Sequence, residues 1–169
     1  MGAVSRPLLV TVAVLAAAAA AVPAAQASTR YTIVLMSYTT VTQTHDTAPK
    51  GKANKGDSID FKDLLLTTSN NELGKKKNKP VGYDAGTVLY TSATASKIEG
   101  VTTFPQIGTL TFEGPMVTRK DGTVHVAVIK GTGAFKGAKG TLIIGTGNQK
   151  APNTYRLVLP QVPCTSHCD

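Results

Sequence analysis

The chain of 169 residues contains no tryptophan, three histidines, two cysteines and ten carboxylates against eighteen Lys and Arg. Both cysteines stand at the C-terminal extreme, in Cys164-Thr-Ser-His-Cys168, so the body of the chain has no thiol nucleophile. It also lacks a Ser-His-Asp ordering with a nucleophile elbow and a His-Glu-x-x-His pair. Hydrolase and metalloenzyme classes are therefore unsupported. Helical periodicity is missing after the first 27 residues. Self-similarity at a spacing of roughly 30–50 residues is missing too, which excludes propellers and solenoids.

What is present begins with an N-terminal apolar run. Arg6 precedes Leu8–Val22, Pro23 ends the run, and Ala25-Gln26-Ala27 supplies a small-x-small cleavage pattern. Fifteen residues fall short of the roughly 20 that cross a bilayer. Residues 1–27 are thus expected to be a secretory signal peptide, and the protein to be extracellular. No cysteine follows the run, which argues against a lipoprotein anchor. In an exported chain the cysteine pair predicts a Cys164–Cys168 disulfide on a tail spanning 161–169. A metal site on Cys164, His167 and Cys168 would lack a nearby fourth ligand.

Without Arg6 the remainder carries 17 basic and 10 acidic groups, a net charge of +7. The densest cluster is Lys75, Lys76, Lys77 and Lys79, between Gly74 and Pro80. It reads either as a solvated loop or as a contact for an anionic cell envelope. No aromatics interleave with it, so nucleic acid is not an expected partner.

From residue 28 the apolar runs are short, β-branched and punctuated by Gly, Pro, Asn and Asp, the all-β pattern. Strands are predicted at 30–38, 58–67, 81–93, 98–104, 108–114, 123–129, 140–145 and 154–160. Asp121-Gly122 before the sixth is a type I′ hairpin dipeptide. Asp57, after Gly56, is expected to accept turn N–H groups. Residues 68–80 are expected to be a long exposed connection. About eight short strands make a sandwich or a closed barrel.

The most distinctive stretch is Gly131-Thr-Gly-Ala-Phe-Lys-Gly-Ala-Lys-Gly140. It lacks the Walker spacing, and a strand is predicted after it. It therefore reads as a sharp turn with positive-φ glycines and with Phe135 plugging one end of the core. This stretch resembles the Gly-rich turn of the allene oxide cyclase and dirigent protein superfamily. Lys55-Gly-Asp-Ser-Ile-Asp-Phe61, Pro80-Val-Gly-Tyr-Asp-Ala-Gly86 and Phe112-Glu-Gly-Pro115 are similar to further motifs of that family, in the family's order. The resemblance implies an eight-stranded antiparallel calycin-like β-barrel over 28–160, with a hydrophobic lumen and trimers in relatives. It also implies cofactor-free cyclisation or stereoselective coupling of a small hydrophobic molecule. A lipocalin-like carrier of an apolar ligand and a basic envelope-binding protein are the alternatives.

The cyclases use a Glu on the first strand and an Asn after the Gly-Asp motif. Here Tyr31–Tyr38 has no Glu, and the Asn position falls near Asp63. Dirigent proteins use Asp carboxylates in the barrel, for which Asp46 and Asp63 are the nearest candidates. Glu113 joins them as a third catalytic candidate if its strand phase turns it inward. Phe61, Tyr90, His125 and Arg156 are candidate ligand contacts, Arg156 as a cap on an anionic group. Each has a plainer reading as a packed or solvated residue. Neither a metal nor a cofactor is expected.

Overall fold

A computed structural model describes residues 28–47, 51–70, 73–146 and 150–160. The predicted signal peptide and the Cys164–Cys168 pair lie outside these residues. Eight antiparallel strands close into one barrel in sequence order: β1 (Thr29–His45), β2 (Ser58–Thr67), β3 (Pro80–Tyr90), β4 (Ser96–Phe104), β5 (Gly108–Pro115), β6 (Thr123–Gly131), β7 (Lys139–Gly145) and β8 (Lys150–Leu159). Pairing of β1 with β8 over Thr29–Tyr38 completes the ring.

Period-two alternation sets what faces in. On β1 the buried residues are Ile33, Leu35 and Ser37, on β6 Val124, Val126 and Val128, and on β8 Asn153, Tyr155, Leu157 and Leu159. The strands outrun the predicted segments where pairing extends into polar sequence. The threonine-rich end of β1 pairs with β2 as far as His45–Ser58, across a bulge between Thr39 and Val41. β8 begins four residues before the predicted start. Its pairing with β7 stops at Asn153, so Pro152 needs no hydrogen-bond partner on that side.

All even-numbered strands end, and all odd-numbered strands begin, at the same end of the barrel. That end is packed shut. The glycine-rich segment forms a three-residue 3-10 turn, Gly133–Phe135, that drives the fully buried Phe135 ring into it. Gly133 sits at φ +59°, where a Cβ would come within 2.3 Å of the Ile107 carbonyl oxygen, so the turn requires glycine. Phe135 stacks at a tilt on Phe104 (centroids 5.2 Å apart), which meets Tyr155 edge-on at 6.2 Å.

Two local expectations change. Only Gly122 of the Asp121-Gly122 pair has positive φ (+75°), so the turn is not type I′. Gly122 N–H donates to Arg119 O and Arg119 N–H to Thr123 O, a loop one residue longer that closes on a left-handed glycine. Asp121 instead accepts from the Thr123 N–H and hydroxyl. The connection after β2 is exposed but built. Leu73 is buried within it, and the Thr67 backbone exchanges hydrogen bonds with Lys79 and Asn78. Asp57 does accept N–H groups, from Thr47 and Asn54.

Candidate functional site

The other end of the barrel is open. A cavity of about 230 Å³ enters there, lined by apolar Ile59, Phe61, Val88, Ile98, Phe112, Leu142 and Ile144, and by polar Thr39, Thr42, Asp63, Asp84 and Asn153. Room for it comes from small inward residues on β3 and β4. Gly86 and Gly100 lie against the Phe61 and Phe112 rings, and a Cβ on Gly100 would sit 2.6 Å from Phe112 Cζ.

The polar residues gather where the cavity meets the packed half. Asp63 and Asp84 are direct register partners on β2 and β3, which places two carboxyls side by side on the lumen face. Asp84 is 2% exposed. It accepts from the Tyr155 hydroxyl at 3.0 Å and from Asn153 Nδ2 at 3.1 Å. Tyr155 in turn shares a 3.0 Å hydrogen bond with Thr102. Asp63 takes a 3.0 Å hydrogen bond from Ser37 on one carboxyl oxygen. Its other oxygen, Oδ1, and Asn153 Oδ1 are buried without a partner. Buried acceptors of this kind carry a desolvation cost of about 1–3 kcal/mol each until something donates to them.

Burial pushes the Asp84 carboxyl up to about 6, helped by the charge of Asp63; hydrogen bonds from Thr102, Tyr155 and Asn153 pull the other way but lose. Burial, with the Asp84 charge, holds the Tyr155 hydroxyl well above its ordinary value, so it remains a neutral donor. Near neutral pH the site therefore contains an acid able to exchange a proton, a fixed phenol beside it, and two acceptors awaiting donors.

The sequence candidates scatter relative to this cluster. Asp63 and Phe61 line the cavity. Asp46 and Tyr90 share a shallow recess outside it, at the rim. Glu113 is exposed, because Leu110 and Phe112 take the inward phase of β5. It lines a larger outer groove of about 600 Å³ together with Glu99 and Lys97. The only polar pairing recorded between those side chains is Lys97–Glu99 at 3.9 Å, and all three are exposed, so the smaller lumen is the better-built site. His125 alternates with inward Val124 and Val126, and exposed Arg156 with Tyr155 and Leu157; both belong to the outer wall.

The sequence reading passed over Asp84, Asn153 and Tyr155. A signal for Asp84 existed: Gly82, Asp84, Gly86 and Val88 are in phase, but which phase faces inward is set by barrel closure. Among the described residues no cluster of His, Cys, Asp and Glu has the geometry to hold a metal ion.

No protein-family model and no curated protein matches the chain. Solved structures do. A pyocyanin demethylase superposes with a TM-score of 0.63 at 22% identity, over 75% of this chain and 99% of the other. The pterocarpan synthase dirigent protein GePTS1 gives 0.58 at 17%, over 80% and 92%. At these identities the likeness is one of fold. AbnU, an exo-specific intermolecular Diels-Alderase, gives 0.56 at 14%, over 77% and 98%. The barrel thus shares its architecture with proteins named for three different reactions, and the architecture alone does not choose among them.

Proposed function

We propose that the lumen binds a small, mostly apolar molecule bearing at least one O–H or N–H group, and directs its cofactor-free cyclisation or stereoselective coupling. The observation that carries this reading is Asp84: a buried carboxyl at the cavity floor, raised to about 6. The cavity of about 230 Å³ lies below the roughly 300–1,000 Å³ usual for drug-sized ligands, which suits a molecule of about two fused rings. Its apolar wall confines one conformer of a reactive ligand.

Asp84 then moves a proton. As the acid it donates to a ligand oxygen or carbon, and as the carboxylate it takes a proton back from another ligand atom. The proton count is unchanged over the cycle, so no oxidant or cofactor is consumed. Tyr155 stabilises the carboxylate phase by donating to it, and the two free acceptors on Asp63 and Asn153 orient the ligand through its own donors. The dirigent protein and the Diels-Alderase among the structural neighbours support this kind of chemistry.

Native mass spectrometry of the purified protein, with organic extraction, tests the reading. The expected result is a small molecule released on extraction and converted by the wild type but not by Asp84→Asn. A molecule that binds and returns unchanged would make the barrel a carrier. A lumen that holds and takes up no small molecule would overturn both readings.

A further inference from the structure

The carboxylates of this barrel are sorted along its axis, whereas cations stand at both ends. At the packed end Lys75, Lys76, Lys77 and Lys79 leave the β2–β3 connection, and Lys136 and Lys139 flank the end of the glycine-rich turn; all six are exposed. The described residues of the connections at that end, 68–70, 73–79, 105–107 and 132–138, carry no carboxylate. Glu72, within the lysine-rich connection, falls outside the described residues. The carboxylates collect elsewhere, interspersed with Lys52, Lys55, Lys97, Arg119, Lys120 and Lys150: Asp46 and Asp57 in the first mouth connection, Asp60 near the start of β2, Asp121 in another mouth connection, Glu99 and Glu113 on the outer wall, and Asp63 and Asp84 in the lumen. Neither salt bridge among the described residues, His45–Asp60 or Lys97–Glu99, involves a packed-end lysine.

The two lysine groups also form one surface. Lys75 and Ile107 line the same shallow groove, and the Ile107 carbonyl accepts from Ala134 N–H, two residues before Lys136. Nor is the lysine segment a loose tether. Buried Thr67 accepts from and donates to its backbone, Lys77 N–H donates to the Asn70 side chain at 3.0 Å, and Leu73 is buried beneath it. Its backbone is held in place before any partner arrives, which lowers the ordering cost of binding.

We infer that the packed end is a docking surface for a flexible polyanionic chain whose charges are phosphates and whose other groups are not read. A surface with this much unpaired positive charge gains affinity by releasing the counterions of such a chain. A bilayer is a poorer fit. In the end connections Leu73 and Phe135 are buried and Ile107 is half-buried, and the exposed apolar residues near that end, Leu64, Tyr83, Ile129 and Val158, stand on the barrel wall rather than among the end lysines, which leaves no wedge at the tip to insert into lipid. A base-reading nucleic-acid site is also a poorer fit, because the lysine segment carries no aromatic on which a base would stack. Docked this way, the barrel presents its open mouth away from the polymer, so lumen and polymer sites are occupied independently. The inference stands whether or not the lumen is catalytic.

Binding of long-chain inorganic polyphosphate to the full protein, followed at 50 and 200 mM salt, tests it. Six lysine contacts at single-strand slopes imply an affinity about 300-fold weaker at the higher salt. Lys75→Gln, Lys76→Gln, Lys77→Gln and Lys79→Gln together leave two contacts, and the salt effect is expected to fall to about sevenfold. The control Lys52→Gln with Lys120→Gln, at the mouth end, is expected to bind like the wild type, and all variants to melt like it. Equal loss in the control, no loss in the fourfold variant, or tighter binding to anionic vesicles or single-stranded DNA than to polyphosphate would overturn the inference.

Discussion

The two halves of the barrel share the same eight strands and differ in what their inward positions hold. In the packed half those positions carry Leu35, Leu65, Phe104, Leu110, Leu157 and Leu159, all 0–2% exposed, and Phe135 seals the end. In the open half the same strands present Thr39, Thr42, Phe61 and Val88, half-buried or exposed, around a cavity. One half is filled by side chains and the other encloses a cavity, and the boundary between them is the Asp63–Asp84–Asn153 cluster. The difference teaches that a single continuous sheet can separate stability from function by side-chain volume alone, without a second domain.

The largest effect should come from breaking the packed half. Phe135→Ala removes a fully buried ring and is expected to cost about 3–5 kcal/mol in denaturant unfolding. Phe61→Ala, beside an existing cavity, should cost about 1 kcal/mol, because less of its ring is enclosed. Equal costs would erase the contrast between the halves.

Next comes the boundary. The folded Asp84 value of about 6 lies above its ordinary 3.8, so the folded state holds this proton more tightly than the unfolded one. Stability contributed by the protonated form is then full below pH 4 and lost as pH rises through about 6, a change of roughly 3 kcal/mol. Asp84→Asn should flatten that part of the pH–stability curve and raise stability at neutral pH. A slope that survives the substitution would place the titration on another group.

These contrasts show how far the sequence was legible. The strand positions, the glycine turn and the Phe135 plug follow from alternation and from residues with restricted backbone options. Asp63 was also within reach, since it shares its phase with Ile59, Phe61 and Leu65. Asp84 was hidden by its neighbours: an Asp between Ala and Tyr, flanked by Gly82 and Gly86, looks like turn composition, and only the curved sheet shows those glycines making room inside a barrel. Asn153 and Tyr155 lie in β8, whose start was masked by Pro152. Glu113, His125 and Arg156 required knowing which phase faces outward, a property of closure that no short window contains.

A smaller effect concerns the two unpartnered acceptors. 2-Naphthol, which has a donor, should bind about tenfold more tightly than 2-methoxynaphthalene, which has none, the difference being the unpaired acceptors of Asp63 and Asn153. Equal affinities by calorimetry would remove the donor requirement while leaving the lumen as a site. The smallest effects belong to the outer wall and rim: Glu113→Gln and Asp46→Asn should change stability by less than about 0.5 kcal/mol and leave 2-naphthol affinity unaltered.

The central claim is that Asp84 is an acid in contact with whatever fills the open half. Carboxyl carbon NMR titration of Asp84, with and without 2-naphthol, tests it most directly. The expected midpoint in the free protein is about 6, and it should shift when the probe occupies the lumen. A midpoint near the ordinary carboxylate value that ignores the probe would contradict the account.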